Sequence, residues 1–86
     1  MPERTVRIPE GVDLHARPAA LLVREAAGHG TRVEVVAGEK TADAKSLLQV
    51  MALGATGGTD VVVRADDGPG ADDAVAAIAD LIAGLE

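Results

Sequence analysis

The 86-residue chain contains no cysteine and no Phe, Tyr or Trp. Without cysteine there is no disulfide framework, no thiolate zinc site and no thiol nucleophile. Without aromatic rings, base-stacking nucleic-acid modules and aromatic sugar platforms are excluded. Only two histidines are present, so a structural metal would have to lean on carboxylates. Positive charge is scarce, with 8 Lys and Arg against 14 Asp and Glu and a net charge of −6. An acidic field of this kind suits neither nucleic acid nor an anionic membrane. No apolar run approaches the roughly 20 residues of a membrane span. The opening MPERTVRIPE has no basic head followed by an apolar stretch, unlike a signal peptide. The expected location is therefore the cytoplasm.

What remains is a small, aliphatic, Ala-rich chain. The hydrophobic fraction is 48%, and 17 of those residues are Ala. The core must come mainly from Val, Leu and Ile. A chain this short makes one domain and buries only about 60% of its unfolded surface.

Alternation over Thr5 to Ile8 predicts a short strand, ended by Pro9 and Gly11. Ala16 to Ala27 favours a helix, with Ala19, Leu22, Val23 and Ala26 on one stripe and Gly28 and Gly30 as the stop. Thr31 to Ala37 predicts a second strand, Gly38-Glu39 a two-residue turn, and Lys40 to Asp43 a returning strand. Ser46 stands as a helix cap before Leu47, Leu48, Val50, Met51 and Leu53. Asp60 to Ala65 predicts a fourth strand. The last helix opens on Asp72 and Asp73, favourable against the helix dipole, with Val75, Ile78, Ile82 and Leu85 along its apolar face. The order β-α-β-β-α-β-α predicts an α+β open-faced sandwich. A four-stranded antiparallel sheet is covered on one face by three helices, in a single domain over residues 1–86.

The most unusual stretch is Asp13-Leu14-His15-Ala16-Arg17-Pro18-Ala19-Ala20. It places a histidine at the mouth of a predicted helix. Pro18 fits the first turn, whose backbone N–H groups lack helical partners. Converging N–H groups of that kind, at Ala16 and Arg17, can receive an anion. Arg17 adds a fixed cationic fork for phosphate oxygens. Imidazole in its neutral form is a competent nucleophile toward phosphorus. Together these parts describe a phosphorylatable histidine. The competing interpretation is a histidine that merely decorates a helix start. A hydrolase triad lacks an assignable third member. His29, about 20 Å away if a helix intervenes, reads as a solvent-exposed turn residue, and a shared metal site with His15 is not expected.

The stretch Leu14-His15-Ala16-Arg17-Pro18-Ala19 resembles the active-site signature of the HPr family, the histidine-containing phosphocarriers of the phosphoenolpyruvate-dependent sugar phosphotransferase system. Lys45-Ser46-Leu47-Leu48-Gln49-Val50-Met51-Ala52-Leu53-Gly54 resembles that family's regulatory-serine helix. The resemblance runs over essentially the whole chain. It implies that His15 takes a phosphoryl group on Nδ1 from phosphorylated enzyme I and passes it to a histidine of a sugar-specific enzyme IIA, with Arg17 pairing the phosphoryl oxygens. The protein would then be a relay with a covalent phosphohistidine, monomeric and without a cofactor, rather than a free-standing catalyst.

The same resemblance gives Ser46 a second role, phosphorylation by an HPr kinase/phosphorylase, which would add about −1.5 to −2 charge and favour a transcriptional regulator over an acidic partner. Helix capping alone also accounts for this serine. Leu47, Leu48 and Met51 divide between core and an exposed docking patch, with Leu47 and Met51 the stronger choices for the patch. Arg17, Arg24, Gln49 and Lys45 are candidates for surrounding polar contacts.

Two departures stand out. Asp13 occupies a position where the family usually has Gly, and the sequence leaves three orientations open for it: facing the phosphoryl site, capping the helix or pointing to solvent. The aromatic residue that many relatives keep in the first helix or core is missing, leaving Leu22 or Val23 to fill its volume. Two alternatives to the main function are a carrier for a nitrogen-related or dihydroxyacetone kinase branch, and a non-catalytic regulatory module working through Ser46 and its helix.

Overall fold

The computed structural model describes residues 1–85. Its elements are β1 (Glu3–Arg7), α1 (Ala16–Ala27), β2 (Val33–Ala37), β3 (Lys40–Asp43), α2 (Leu47–Ala52), β4 (Asp60–Ala65) and α3 (Ala71–Ala83). The strands form one sheet in the order β1-β4-β2-β3. Every pairing is antiparallel, with Thr5 opposite Val62, Val62 opposite Val36, and Val36 opposite Thr41. This is the expected β-α-β-β-α-β-α open-faced sandwich.

Pleat alternation explains why one face is covered. Val33, Val35, Val61 and Val63 point inward and are fully or almost fully buried. Their neighbours Glu34, Val36, Val62 and Arg64 face the open side. There Arg64 Nε donates to Glu34 Oε1 at 3.1 Å, directly across the β2–β4 ladder. α3 packs on β1 and β4, α1 lies against α2 and α3, and α2 lies against β3 and α1. Ile8, Leu14, Leu22, Ile78 and Ile82 are the bulkiest fully buried side chains. Leu22 is fully buried while Val23 is half-buried, so Leu22 fills the inner position on α1.

The β2–β3 turn uses Gly38 at φ +61°, a conformation that glycine adopts without the Cβ clash. Asp72 and Asp73 sit in the first turn of α3, as the charge pattern predicts.

The sequence reading shifts in four places. β1 runs from Glu3 to Arg7 rather than from Thr5 to Ile8, and Ile8 instead donates its N–H to Thr59 O at 2.9 Å while accepting from Gly58 N–H. β2 begins at Val33 rather than Thr31. Leu85 lies beyond α3 but is still buried. His29 is not an open turn residue: its side chain is only 22% exposed, and Nε2 lies 2.8 Å from Glu25 Oε2, one helical turn back. The i,i+4 geometry at the end of α1 brings the two together, which turn composition alone does not reveal.

Candidate functional site

His15 is the residue immediately before α1. Its backbone is extended (φ −135°, ψ 164°), and its side chain makes no capping hydrogen bond. The residue is exposed. Ala16 follows at φ +40°, a left-handed conformation that is uncommon for a residue with a Cβ. The chain thus reverses sharply between Leu14, buried in the core, and the first turn of α1. The first helical N–H groups, those of Ala16 and Arg17, have no carbonyl one turn earlier to meet. Pro18 has no N–H, and Ala19 N–H donates to His15 O at 3.4 Å. His15 therefore stands at the end of the helix where two backbone N–H groups have no partner among the described residues.

Arg17 is exposed and forms no ion pair among the described residues. Arg24, seven residues on along α1, is likewise exposed and unpaired among them. By contrast, Arg4, Arg7, Arg32 and Arg64 are each matched to a carboxylate. Two arginines on one face of α1 thus make no ion pair among the described residues, in a chain of net charge −6. Leu21 lies between them and is 40% exposed. Sequence reasoning placed Leu21 in neither core nor surface; its position one turn from both arginines was the available signal.

α2 adds the apolar part. Leu48 is 82% exposed and Leu47 41%, whereas Met51 is half-buried and packs against the core. The expected emphasis on Leu47 and Met51 therefore shifts to Leu48 and Leu47, because Val50 and Met51 turn toward the interior. Ser46 caps α2, its Oγ accepting the N–H of Gln49 at 3.3 Å. Gln49 is exposed; its Oε1 accepts the Asp43 N–H at 2.9 Å, and its amide nitrogen makes no hydrogen bond among the described residues. Lys45 reaches across to donate to the His29 carbonyl at 2.7 Å, tying the segment before α2 to the end of α1.

Asp13 is exposed to solvent, and its carboxylate also makes a contact that the sequence does not suggest. Its Oδ1 accepts the N–H of Gly57 at 3.1 Å, in the loop after α2. No group of three or more His, Asp or Glu side chains that could hold a metal is found among the described residues.

His15 before α1, Arg17 and Arg24 on that helix, and Leu47 and Leu48 on the adjoining α2 are all exposed to solvent. A family profile described as "PTS HPr component phosphorylation site" matches residues 2–84. The chain is 41% identical over 88 aligned residues to the phosphocarrier protein HPr of Streptomyces coelicolor, covering 100% of this chain and 94% of that one. It is also 41% identical to the HPr of Mycoplasma capricolum over 71 residues, 83% of this chain and 79% of the other. The crystal structure of HPr-C-His from Thermoanaerobacter tengcongensis superimposes with a TM-score of 0.89 at 37% identity, covering 100% and 99% of the two chains. The chain belongs to the HPr family of the phosphotransferase system. It is an HPr-type phosphocarrier, transferring a phosphoryl group through an active-site histidine, and proteins of this family interact with enzyme I and enzyme IIA.

Proposed function

We propose that His15 is the histidine that carries the phosphoryl group, between phosphorylated enzyme I and an enzyme IIA. The carrying observation is that His15 is exposed and stands immediately before α1, with no capping hydrogen bond from its side chain. In the forward step the Nδ1 lone pair attacks phosphorus, the new N–P bond forms, and the donor histidine's N–P bond breaks. In the next step the roles repeat, with His15 as the leaving group and the acceptor histidine as nucleophile. The phosphoryl oxygens gain charge-assisted hydrogen bonds from the backbone donors and from Arg17. Attachment through nitrogen keeps the group transferable.

Leu47, Leu48 and Leu21, with the half-buried Met51 at the margin, form the apolar part of the docking face; Arg17, Arg24 and the Gln49 amide rim it. Both partners use this face in turn, since each must reach the same histidine. The cytoplasm is the compartment proposed for this relay; no helix among the described residues is long and apolar enough to cross a membrane.

Ser46 borders Leu47 and Leu48. A phosphate there would place negative charge within the docking face, reducing exchange with an acidic enzyme I. An HPr kinase/phosphorylase is the proposed source and a transcriptional regulator the proposed reader. Incubation with such a kinase and ATP is expected to give acid-stable phosphate that disappears in Ser46→Ala; unchanged incorporation would remove Ser46 as the acceptor.

The main assignment is tested with enzyme I and labelled phosphoenolpyruvate. Acid-labile, base-stable label is expected on the protein and on His29→Ala, and absent from His15→Ala. Label retained in His15→Ala would sink it.

A further inference from the structure

The segment that delivers His15 is fastened to the loop between α2 and β4 by a contact that the sequence alone does not suggest. Leu14 N–H donates to Ala55 O at 2.9 Å, and two residues further along that loop the Gly57 N–H donates to Asp13 Oδ1 at 3.1 Å. Asp13 also accepts the His15 N–H at its own carbonyl, at 2.8 Å. Its neighbours Val12 and Leu14 are buried, while Asp13 is exposed. The two segments approach closely: a Cβ on residue 57 would lie 2.6 Å from Pro9 O and 2.8 Å from both Gly11 N and Val12 O. Only glycine fits there, and the amide that glycine presents finds its acceptor in Asp13. Beyond this contact, Asp13, Leu14 and His15 line one shallow depression of about 170 Å³ with Gly54, Ala55 and Thr56.

We propose that Asp13 is a positioning residue for phosphoryl transfer: its carboxylate holds the Gly57 N–H and so fixes the direction in which the chain presents His15. The proposal rests on the assignment of His15 as the acceptor. An ionised acceptor makes a stronger hydrogen bond than a neutral one. The backbone then leaves Leu14, passes through extended His15 and turns at Ala16 with φ +40°. The backbone between residue 13 and the start of α1 is short and sharply turned, so a displacement at Asp13 moves the His15 Cα from which the imidazole is presented. In-line transfer is sensitive to such errors; a misplacement of about 1 Å can cost on the order of 10²-fold. The charge of Asp13 is a separate matter from its acceptor oxygen, and Asn isolates the second from the first.

The test compares wild type, Asp13→Ala and Asp13→Asn as substrates of enzyme I with labelled phosphoenolpyruvate, over a range of carrier concentration. Amide hydrogen exchange at Gly57 is measured on the same three proteins. Asp13→Ala is expected to lower the limiting rate about tenfold, with KM for the carrier within about twofold because the α2 face is untouched, and to speed exchange at Gly57. Asp13→Asn, which keeps an acceptor oxygen, is expected to restore both rate and protection. An unchanged limiting rate in Asp13→Ala overturns the proposal. So does a change confined to KM, or an Asp13→Asn protein as slow as Asp13→Ala, which would assign the effect to charge. Failure of the underlying assignment looks different: label would then persist in His15→Ala, whatever the state of Asp13.

Discussion

Arg17 shows what a single residue contributes to this site. Its guanidinium is exposed beside the helix mouth and has no carboxylate partner among the described residues, unlike the four arginines that are paired elsewhere. In the proposed role it would meet incoming phosphate without first breaking an ion pair among the described residues. A charge-assisted hydrogen bond of this kind is worth about 1.5–3 kcal/mol, so Arg17→Ala is expected to slow transfer from phosphorylated enzyme I by about 10- to 100-fold. Arg17→Lys restores the charge but not the planar fork, and is expected to fall between the two. Rapid-quench measurement of labelled protein checks both, with unfolding in urea as the control for an intact fold. His29 makes the complementary point. It shares a residue type with His15, yet its ring is engaged by Glu25, and its carbonyl by Lys45.

At the scale of the element, α1 and α2 divide their side chains between two tasks. On α1, Ala19, Leu22 and Ala26 are buried, while Arg17, Leu21 and Arg24 are exposed. On α2 only Val50 is fully buried, because six residues make fewer than two turns. The remaining leucines are left outside, and Leu48 is 82% exposed. Paired substitutions separate the tasks. Leu22→Ala is expected to destabilise the domain by about 2–5 kcal/mol through a core cavity, read as a lower urea midpoint. Leu48→Ala is expected to leave the midpoint within about 0.5 kcal/mol and to raise KM for both enzyme I and enzyme IIA. Were Leu48→Ala to raise KM for one partner alone, the shared docking face would be wrong.

The element order was legible because each signal is local: Gly38 for the hairpin turn, Ser46 for the α2 cap, and valine alternation in β2 and β4. Burial on α2 was less so. Leu47, Leu48 and Met51 are interchangeable in hydrophobicity, and only the placement of α2 against β3 and α1 decides which of them meets solvent. The bond from Asp13 to Gly57 spans 44 residues, and no periodicity or cap signal carries over such a separation.

For the molecule as a whole, net charge and local charge pull in opposite directions. The chain carries −6, yet Arg17 and Arg24 on the proposed docking face make no ion pair among the described residues. Screening shortens the Debye length to about 8 Å at physiological ionic strength, which weakens both effects. If the local cations govern encounter with an acidic enzyme I, KM is expected to rise as salt is raised from low to physiological levels, and to respond less in Arg24→Ala. A KM that falls with salt would show that whole-molecule repulsion dominates instead. Steady-state transfer at several salt concentrations distinguishes them.

The missing cysteines and aromatics and the element order were settled by the sequence itself, because composition is additive and strand, helix and cap signals act over a few residues; the same local signals singled out His15 as a candidate. The tertiary structure decided which side chains are free to act. It left Arg17 and Leu48 open to solvent, closed His29 against Glu25, turned Met51 toward the core and set Asp13 against Gly57. Those outcomes depend on distances between segments far apart in the chain, which exist only once the sheet and its helices have packed.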